Sequence, residues 1–495
     1  MSHKDILEVP VGYARQVLNW LKREGGFTVR PGYTPVGSSL GETACGIAQY
    51  DHHTGHRYTV IGSATKWWRW NLGTLAWDNI TEGGNPLTGN EDTHQMFRVF
   101  YKSNKAYLVG VNGHADAPKK WDGDAATYLN VGGTPPKAKC LAVNNNRLML
   151  GNTYTSQANI HQVDVSGFND FETGWGTVQT ANLMDTPGEI VEMRELGNLE
   201  TAIYKSDAIY VASAQADLNP YFFELRAPFI QGPASPRLVI SLPSFHIFMS
   251  RSGGLWQFDG VHVTPLPEQL KQHIVDTADL GTLAKAHGWY DGINEEVWIM
   301  YCGRGSDNPN LGLVISLPDY TGWPIEFTNF RPVAGIGAEL DTGVMIGDMV
   351  EKLSFYTSAL KTLAHTYFRT AIVGHTGTVL EESGSTDNGD AIPVALETGM
   401  QSPGDPKSYY TINEVDALFA KAPASQNVEV QIGYSEDGNE PVYESLGNLN
   451  ISNAGPYRLD ARVTSRLFSV KLLASATQPI KWRGLAVSGA LRGLR

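Results

Sequence analysis

Short apolar runs recur along most of the chain, and their spacing is typical of a repeated β-structure. Their starts lie 38 to 61 residues apart, and each run is long enough for one strand but too short for a helix. Gly, Asn or Asp follows most of them, as in strands that end in tight turns. The runs are RYTVIGS (57–63), KAYLVGV (105–111), RLMLGN (147–152), AIYVAS (208–213), HIFMS (246–250), VWIMYCG (297–303) and GVMIGD (343–348).

A period of about 40 to 50 residues holds four short strands with their turns, which is the size of one β-propeller blade. The sequence therefore predicts an all-β chain with a propeller of six or seven blades; a large stacked sandwich is the structural alternative. Several runs are followed by a second strand that carries tryptophan. Because one blade cannot bury both of its faces, four tryptophans are expected to pack between blades. They are Trp68, Trp70, Trp121 and Trp256.

The predicted domains are an N-terminal segment with a short helix (1–39), the propeller (40–365) and a C-terminal antiparallel β-sandwich (366–495). Apolar residues at helical spacing indicate the first helix within 10–26, and a second candidate covers 268–288. Residues 374–399 contain a polar, turn-rich stretch suited to a loop. Five alternating runs after it predict the sandwich strands: 410–420, 427–435, 457–463, 466–475 and 481–489.

Charge and cysteine content exclude several classes of protein. The net charge of −13 argues against a protein that grips nucleic acid by its phosphates. No apolar stretch of about 18 residues predicts a membrane span. Three widely separated cysteines predict neither a disulfide framework nor a Cys-x-x-Cys metal site, and the first residues lack the apolar region of a secretory signal.

The positive charge is concentrated at the C-terminal end. Residues 456–495 contain eight basic residues and one acid, so the rest of the chain carries −20. We interpret this basic region as a candidate interface with another subunit or an adaptor protein; the alternative is a solvated sheet face. The candidate interface residues are Arg458, Arg462, Arg466, Lys481 and Arg483.

No pattern in the sequence indicates catalysis. His52, His53 and His56 lie close together, but Gly55 and their position between strands favour an exposed loop over a zinc site. The chain lacks the phosphate-binding loop, the nucleophile elbow and the zinc-protease motif. We therefore expect no catalytic residues, no metal and no cofactor, and predict that the chain is not an enzyme.

Four segments resemble a known family. They are NWLKREGGFTVRPGYTPVG (19–37), RYTVIGSATKWWRWNLGTLAWDNIT (57–81), DTPGEIVEMRELGNLETAIYKSDAIYVASA (185–214) and the end of the chain from residue 461. Together they are similar to packaged-DNA stabilisation or tail-nozzle proteins of short-tailed bacteriophages.

The resemblance implies a structural virion protein with a propeller and an added β-domain. It implies a sixfold ring below the portal and adaptor, which closes and guides the DNA exit channel and supports fibres, spikes or a needle. Its expected location is the virion tail, after assembly in the host cytoplasm. DNA would pass without sequence-specific binding, and an acidic lumen would suit that passage because basic walls bind phosphate. No membrane insertion is expected.

Other functional classes stay open at this point. One is a receptor-binding or carbohydrate-binding propeller of the same virion, which exposed aromatic residues clustered at one rim would favour. Another is a propeller glycoside hydrolase, which needs two facing carboxylates about 5 to 9.5 Å apart. The last is an unrelated interaction scaffold.

Overall fold

The computed structural model describes residues 14–23, 26–71, 73–83, 85–197, 199–317, 319–339, 368–438, 440–452 and 457–494. Nearly all regular structure in them is β-strand, as the sequence predicted. Contacts divide the chain into two compact units. The sandwich unit comprises Met1–Thr34, Leu311–Phe330 and Glu382–Arg495, and the propeller unit comprises Pro35–Asn310 and Arg331–Glu381.

The N-terminal segment forms strands, so the predicted helix within 10–26 is wrong for its described residues. Its strands are β1 (Ala14–Leu18), β2 (Trp20–Arg23), β3 (Gly26–Val29) and β4 (Tyr33–Pro35). Asn19 adopts a left-handed φ of 59° between β1 and β2, which no helix accommodates. β1 pairs instead with residues 395–398, so a partner distant in the sequence overrides the local helical spacing.

The next part of the chain forms four-stranded antiparallel sheets in which consecutive strands pair. Two-residue turns with positive φ connect some of these strands, for example Ser103–Asn104 and Asn145–Asn146. The strands of the five sheets are β5 (Ala44–Asp51), β6 (Arg57–Ser63), β7 (Trp67–Asn71), β8 (Ala76–Asn79); β9 (Met96–Lys102), β10 (Lys105–Val111), β11 (Lys119–Trp121), β12 (Leu129–Asn130); β13 (Lys137–Asn144), β14 (Arg147–Tyr154), β15 (Ala158–Val165), β16 (Gln179–Asn182); β17 (Ile190–Leu196), β18 (Glu200–Lys205), β19 (Ala208–Ala214), β20 (Tyr221–Pro228); and β21 (Val239–Ser241), β22 (His246–Met249), β23 (Leu255–Phe258), β24 (Val263–Pro265).

Helical structure in the described residues is short. Helix α1 (Glu268–Thr277) and a 3₁₀ segment (Leu280–Lys285) occupy the predicted helical stretch 268–288, and a 3₁₀ turn covers Pro236–Leu238. They precede the hairpin β25 (His287–Asp291) and β26 (Glu296–Tyr301) of the propeller unit. The hairpin β27 (Leu311–Ser316) and β28 (Thr321–Glu326) belongs to the sandwich unit.

The propeller unit closes on itself as a ring. After β29 (Pro332–Glu339), β30 (Phe368–Gly374) and β31 (Val379–Glu382), the seven first strands β5, β9, β13, β17, β21, β25 and β29 contact one another in sequence order, and β29 contacts β5. The N-terminal chain completes the last blade, since the backbone N–H groups of Val36 and Leu40 donate to the carbonyls of Val379 and Gly377. The described strands of the ring therefore form seven blades, within the predicted six or seven.

The remaining described strands of the sandwich unit are β32 (Thr386–Asp387), β33 (Asp390–Thr398), β34 (Ser408–Phe419), β35 (Asn427–Ser435), β36 (Val442–Asn450), β37 (Tyr457–Ser465), β38 (Leu467–Ala476) and β39 (Lys481–Leu494). Within this unit the described strands form two packed antiparallel sheets. One sheet has β1 and β38 on either side of β33, followed by β35 and β36, and the other has the order β2-β3-β39-β34-β37. Apolar residues from both sheets form one buried cluster.

The five predicted sandwich strands are present as β34, β35, β37, β38 and β39. The stretch 374–399, predicted to contain a loop, holds β31, β32 and β33 instead. The two units are also not contiguous in sequence as the predicted domains were, because residues 311–330 and the N-terminal strands pack within the sandwich unit. The predicted run 343–348 lies outside the described residues.

Candidate functional site

The four predicted tryptophans lie in third strands of the propeller sheets. Trp70 and Trp121 are buried, whereas Trp68 and Trp256 are half-buried. Trp67, which the sequence analysis did not single out, is the most enclosed tryptophan of its strand, at 1% exposure. Its ring packs edge-on against Phe97 of the next sheet, and its Nε1 donates to Gln95 Oε1 at 2.8 Å. Because successive side chains of β7 point to opposite faces of the sheet, Trp67 faces Phe97 and Trp68 does not.

Ion pairs connect the first strands of the propeller. Arg98 on β9 donates to Glu192 Oε1 on β17 at 2.7 Å, and its Nε lies 3.2 Å from Glu195 Oε1. Arg194 also contacts Glu192 Oε1, at 3.0 Å. Burial raises the pKa of Glu192 and lowers that of Arg194, while the two arginines oppose the rise at Glu192. Because each carboxylate is paired with arginine, this cluster connects β9 to β17.

His246 lies beside this cluster. Its Nδ1 is 2.9 Å from the Tyr204 hydroxyl, and its Nε2 is 3.0 Å from the carbonyl oxygen of Glu195. Burial lowers the pKa of His246 to about 4. The imidazole is therefore neutral at neutral pH.

The five basic residues of the predicted interface differ in their surroundings. Arg458 contacts Glu414 and Asp416 of the adjacent strand β34, at 2.7 and 3.2 Å. Arg466 lies over the Tyr409 ring, 4.9 Å from its centroid. Lys481 is half-buried beside β3 and has a partner within the chain.

Arg462 and Arg483 differ from the other three residues of this set in their exposure and contacts. Both are exposed, and neither forms an ion pair with the part of the chain that the structure describes. Alternation along β37 places Arg462 on the outward face, because Ala461 and Val463 on either side of it are buried. These two arginines are the best placed of the five to meet another molecule.

The second half of β39 is an open edge. β3 pairs with β39 only at Lys481 and Trp482, and from residue 486 onward no described strand covers that side. β34 pairs along the other side as far as Leu494. Val487 and Leu491 are 42% and 63% exposed, and the residues between them are exposed as well. This segment, 486–494, thus combines free backbone groups with exposed apolar side chains.

A second exposed apolar edge lies on the propeller. β20 is the last strand of its sheet. Phe222 on β20 and Phe229 just after it are 56% and 88% exposed, and Leu218 just before it is 94% exposed. The molecule therefore presents two different apolar edges, one in each unit.

Two histidines and a carboxylate come together at the ends of the first two propeller sheets. His52 and His53 lie in the β5–β6 turn, and Asp124 lies in the β11–β12 loop. His52 is buried, which corrects the expectation that this histidine lies in an exposed loop; His53 and His56 are exposed as expected. One potential ligand atom from each of His52, His53 and Asp124 lies within 4.8 Å of the others.

Sequence reasoning missed Asp124 because it lies about 70 residues from the histidines in a different blade. The Trp121-Asp122-Gly123 turn marks the end of a strand, but nothing in a single sequence tells which other loop it meets. Gly123 has a φ of 84°, and a Cβ there would lie 2.6 Å from His52 Cδ2. Glycine is what permits this close approach.

Comparisons with known proteins give little. No family model matches the chain, and no curated protein matches it. Among solved structures it is similar to the computationally designed Ika8 protein, with 9% identity, a TM-score of 0.35, and coverage of 71% of this chain and 99% of that chain. Agreement this loose supports no inference about function. Among the described residues, no helix is long and apolar enough to cross a membrane.

Proposed function

We propose that this chain is a structural virion protein that forms the tail-nozzle ring of a short-tailed bacteriophage. Two lines of support come together. The four segments quoted above resemble nozzle proteins, and the chain combines a propeller with an added β-sandwich, the combination that the resemblance implies. The ring would lie in the virion tail, below the portal and adaptor.

The observation that carries the proposal is the open edge of β39. A long, exposed, apolar strand edge is a template for pairing with another chain, and monomeric proteins normally cover or charge such edges. Segment 486–494 is not covered by a described strand, carries a single charge at Arg492, and has two exposed apolar side chains. Its partner in the proposal is a second copy of this chain.

A ring requires two different surfaces on each copy. Head-to-tail contacts close into a ring, whereas a self-complementary contact stops at a dimer. The apolar edges at β39 and β20 are two such surfaces on different units. In the proposed ring the two edges either contact neighbouring copies separately or pair with each other between neighbouring copies.

The charge of the chain suits a channel for DNA. Each copy carries a net charge of −13, so a ring of six would carry a large net negative charge that repels the phosphates of DNA. The buried Glu192 and the half-buried Glu195 are engaged with arginine, which favours a structural role for this pair of carboxylates over the glycoside hydrolase alternative.

The mass of the purified chain in solution tests the proposal. We expect a species of six times 54.1 kDa, measured by native mass spectrometry and light scattering. Leu491→Glu puts a charge into the open edge and should give mainly monomer. Ile293→Glu is the matched control, because Ile293 is 62% exposed in a tight turn of the propeller, and it should leave the mass unchanged.

A monomer at every concentration, or a Leu491→Glu variant that assembles like the original chain, would contradict the edge-mediated ring. Imaging of the assembly by electron microscopy then gives its symmetry. Binding of the monomer to an oligosaccharide array would instead favour the carbohydrate-binding propeller.

A further inference from the structure

The strongest unassigned feature of the propeller is the group formed by His52, His53 and Asp124. His52 Nε2 lies 3.5 Å from Asp124 Oδ1, and His53 Nε2 lies 3.7 Å from Asp124 Oδ2. Both separations exceed a hydrogen bond. We propose that these three side chains form a zinc site that links the first two blades.

The buried nitrogen of His52 gives independent support. Its side chain is 1% exposed, and Nε2 has no hydrogen-bond partner among the described residues. An unsatisfied buried nitrogen is costly, and it needs either a proton acceptor at hydrogen-bond distance or a ligand. Here it faces the Asp124 carboxylate across a gap that is too wide for a hydrogen bond.

The gap matches the geometry of a tetrahedral zinc site. With bonds of about 2.0–2.1 Å, the donor atoms of such a site lie roughly 3.3 Å apart. The two measured separations of 3.5 and 3.7 Å are near that value, although they run to different oxygens of Asp124. A single oxygen ligand therefore requires rotation of the Asp124 and His53 side chains, which are 51% and 23% exposed, around the buried His52.

The other ring nitrogen of His52 is held in place. Nδ1 lies 2.6 Å from the Thr54 hydroxyl, and the Thr54 backbone N–H donates a long hydrogen bond to it at 3.4 Å. Zinc binding requires the tautomer in which Nδ1–H donates to the hydroxyl and Nε2 keeps its lone pair, and the long contact from the Thr54 N–H is then given up. A hydrogen bond from the non-ligating nitrogen is what orients metal-binding histidines. Gly123 packs against the ring and restricts its rotation.

The donor set favours zinc and other transition metals over hard cations. Two imidazoles and one carboxylate suit zinc, whereas magnesium and calcium prefer oxygen ligands throughout. Three protein ligands leave a fourth position for water, since His53 and Asp124 are exposed. The ion would connect the β5–β6 turn to the β11–β12 loop and so restrain two blades that are separate in sequence.

Lys105 competes with the ion for the carboxylate. Its Nζ lies 3.4 Å from Asp124 Oδ2 and 3.7 Å from Asp122 Oδ2, and its side chain is 43% exposed. Zinc binding displaces this ammonium group into solvent. Removing the positive charge should therefore tighten zinc binding.

The test uses the full chain without a histidine tag, freed of metal and titrated with Zn²⁺ by calorimetry, with elemental analysis of the dialysed complex. We expect one zinc per chain. His53→Ala and Asp124→Asn should each weaken binding at least about tenfold. Both residues are exposed, so the fold should survive, and circular dichroism checks this.

His56→Ala is the matched control and should bind zinc like the original chain, because His56 lies outside the group. Lys105→Gln should bind more tightly. Co²⁺ in place of Zn²⁺ should give the visible absorption of tetrahedral coordination. The proposal is overturned if zinc fails to bind at about 100 µM, or if His56→Ala abolishes binding while Asp124→Asn retains it.

Discussion

The propeller and sandwich units differ in how far apart in sequence their contacts lie. In the propeller each sheet except the last is a run of consecutive strands, and each first strand contacts that of the next sheet. In the sandwich, strands from the first 34 residues, from 311–330 and from the last hundred residues share one core. Local structure leaves a period in the sequence, whereas a core assembled from distant segments does not.

The sandwich depends on a few buried polar contacts between its distant segments. Arg30 forms a bidentate ion pair with Asp387, donates from Nε to Asn19 Oδ1 at 2.9 Å and from Nη2 to the Glu326 carbonyl at 3.0 Å. Its guanidinium also lies over the Phe327 ring. One side chain thus joins all three sequence segments of the unit.

The largest expected effect follows from breaking this contact. Arg30→Met leaves the Asp387 carboxylate buried without its partner. It should lower the free energy of local unfolding of the sandwich unit by about 3–5 kcal/mol. Hydrogen exchange read by mass spectrometry on peptides of β33 and β38 measures this. Asp387→Asn in the Arg30→Met background should recover part of the loss.

Asp319→Asn is the control within the same unit. Lys22 and Asp319 are 3.6 Å apart and both are well exposed, so their pair should contribute less than about 1 kcal/mol. Equal effects of Arg30→Met and Asp319→Asn would show that the sandwich does not depend on the buried contact.

The propeller should be most sensitive where neighbouring sheets interlock. Trp67→Ala removes a ring that is 1% exposed, and should lower the free energy of unfolding by about 3–5 kcal/mol. Trp256→Ala should cost less, because Trp256 is half-buried. Urea denaturation of both variants gives the order, and a larger loss for Trp256→Ala would contradict this account of blade packing.

How much could be predicted from the sequence follows the same division. The hairpins around RYTVIGS and KWWRWN, the propeller and the five C-terminal strands were predictable, because alternation and turn residues lie next to each other in the chain. The N-terminal strands were not, since β1 becomes a strand by pairing with β33. Asp124 was missed for the same reason: its contact with His52 is tertiary.

A pH titration sharpens the comparison, because His246 belongs to the propeller only. Burial lowers its pKa to about 4 in the folded chain, so the unfolded chain binds an extra proton between about pH 6.5 and 4. Its contribution is complete above pH 6.5 and is lost as the pH falls through this window. The propeller should lose about 2 kcal/mol from this group between pH 7 and 5.

His246→Gln should remove its share of that dependence, since glutamine keeps hydrogen-bonding groups but does not titrate. Burial also lowers the pKa values of His94 and His287 in the same unit, and their shares remain. Urea unfolding at several pH values, followed on the propeller by hydrogen exchange, measures the slope. An unchanged slope in His246→Gln would show that other groups dominate the acid response.

The smallest expected effect concerns the basic residues of the sandwich and rests on the proposed ring. Arg462 and Arg483 are exposed without an ion pair among the described residues, whereas Arg458 contacts two carboxylates of β34 and Arg466 lies over Tyr409. Charges at the rim of an interface govern association rate and salt dependence more than affinity.

Arg462→Glu and Arg483→Glu should therefore slow assembly about three- to tenfold at low salt and have little effect at about 0.5 M salt, where screening is nearly complete. Arg466→Glu is the matched charge reversal at a residue with an internal contact and should slow assembly less. Light scattering, recorded after dilute monomer is brought to a concentration at which it assembles, gives the rates. If all three reversals act alike at both salt concentrations, net charge rather than an oriented interface controls assembly, and the two free arginines form part of a solvated face.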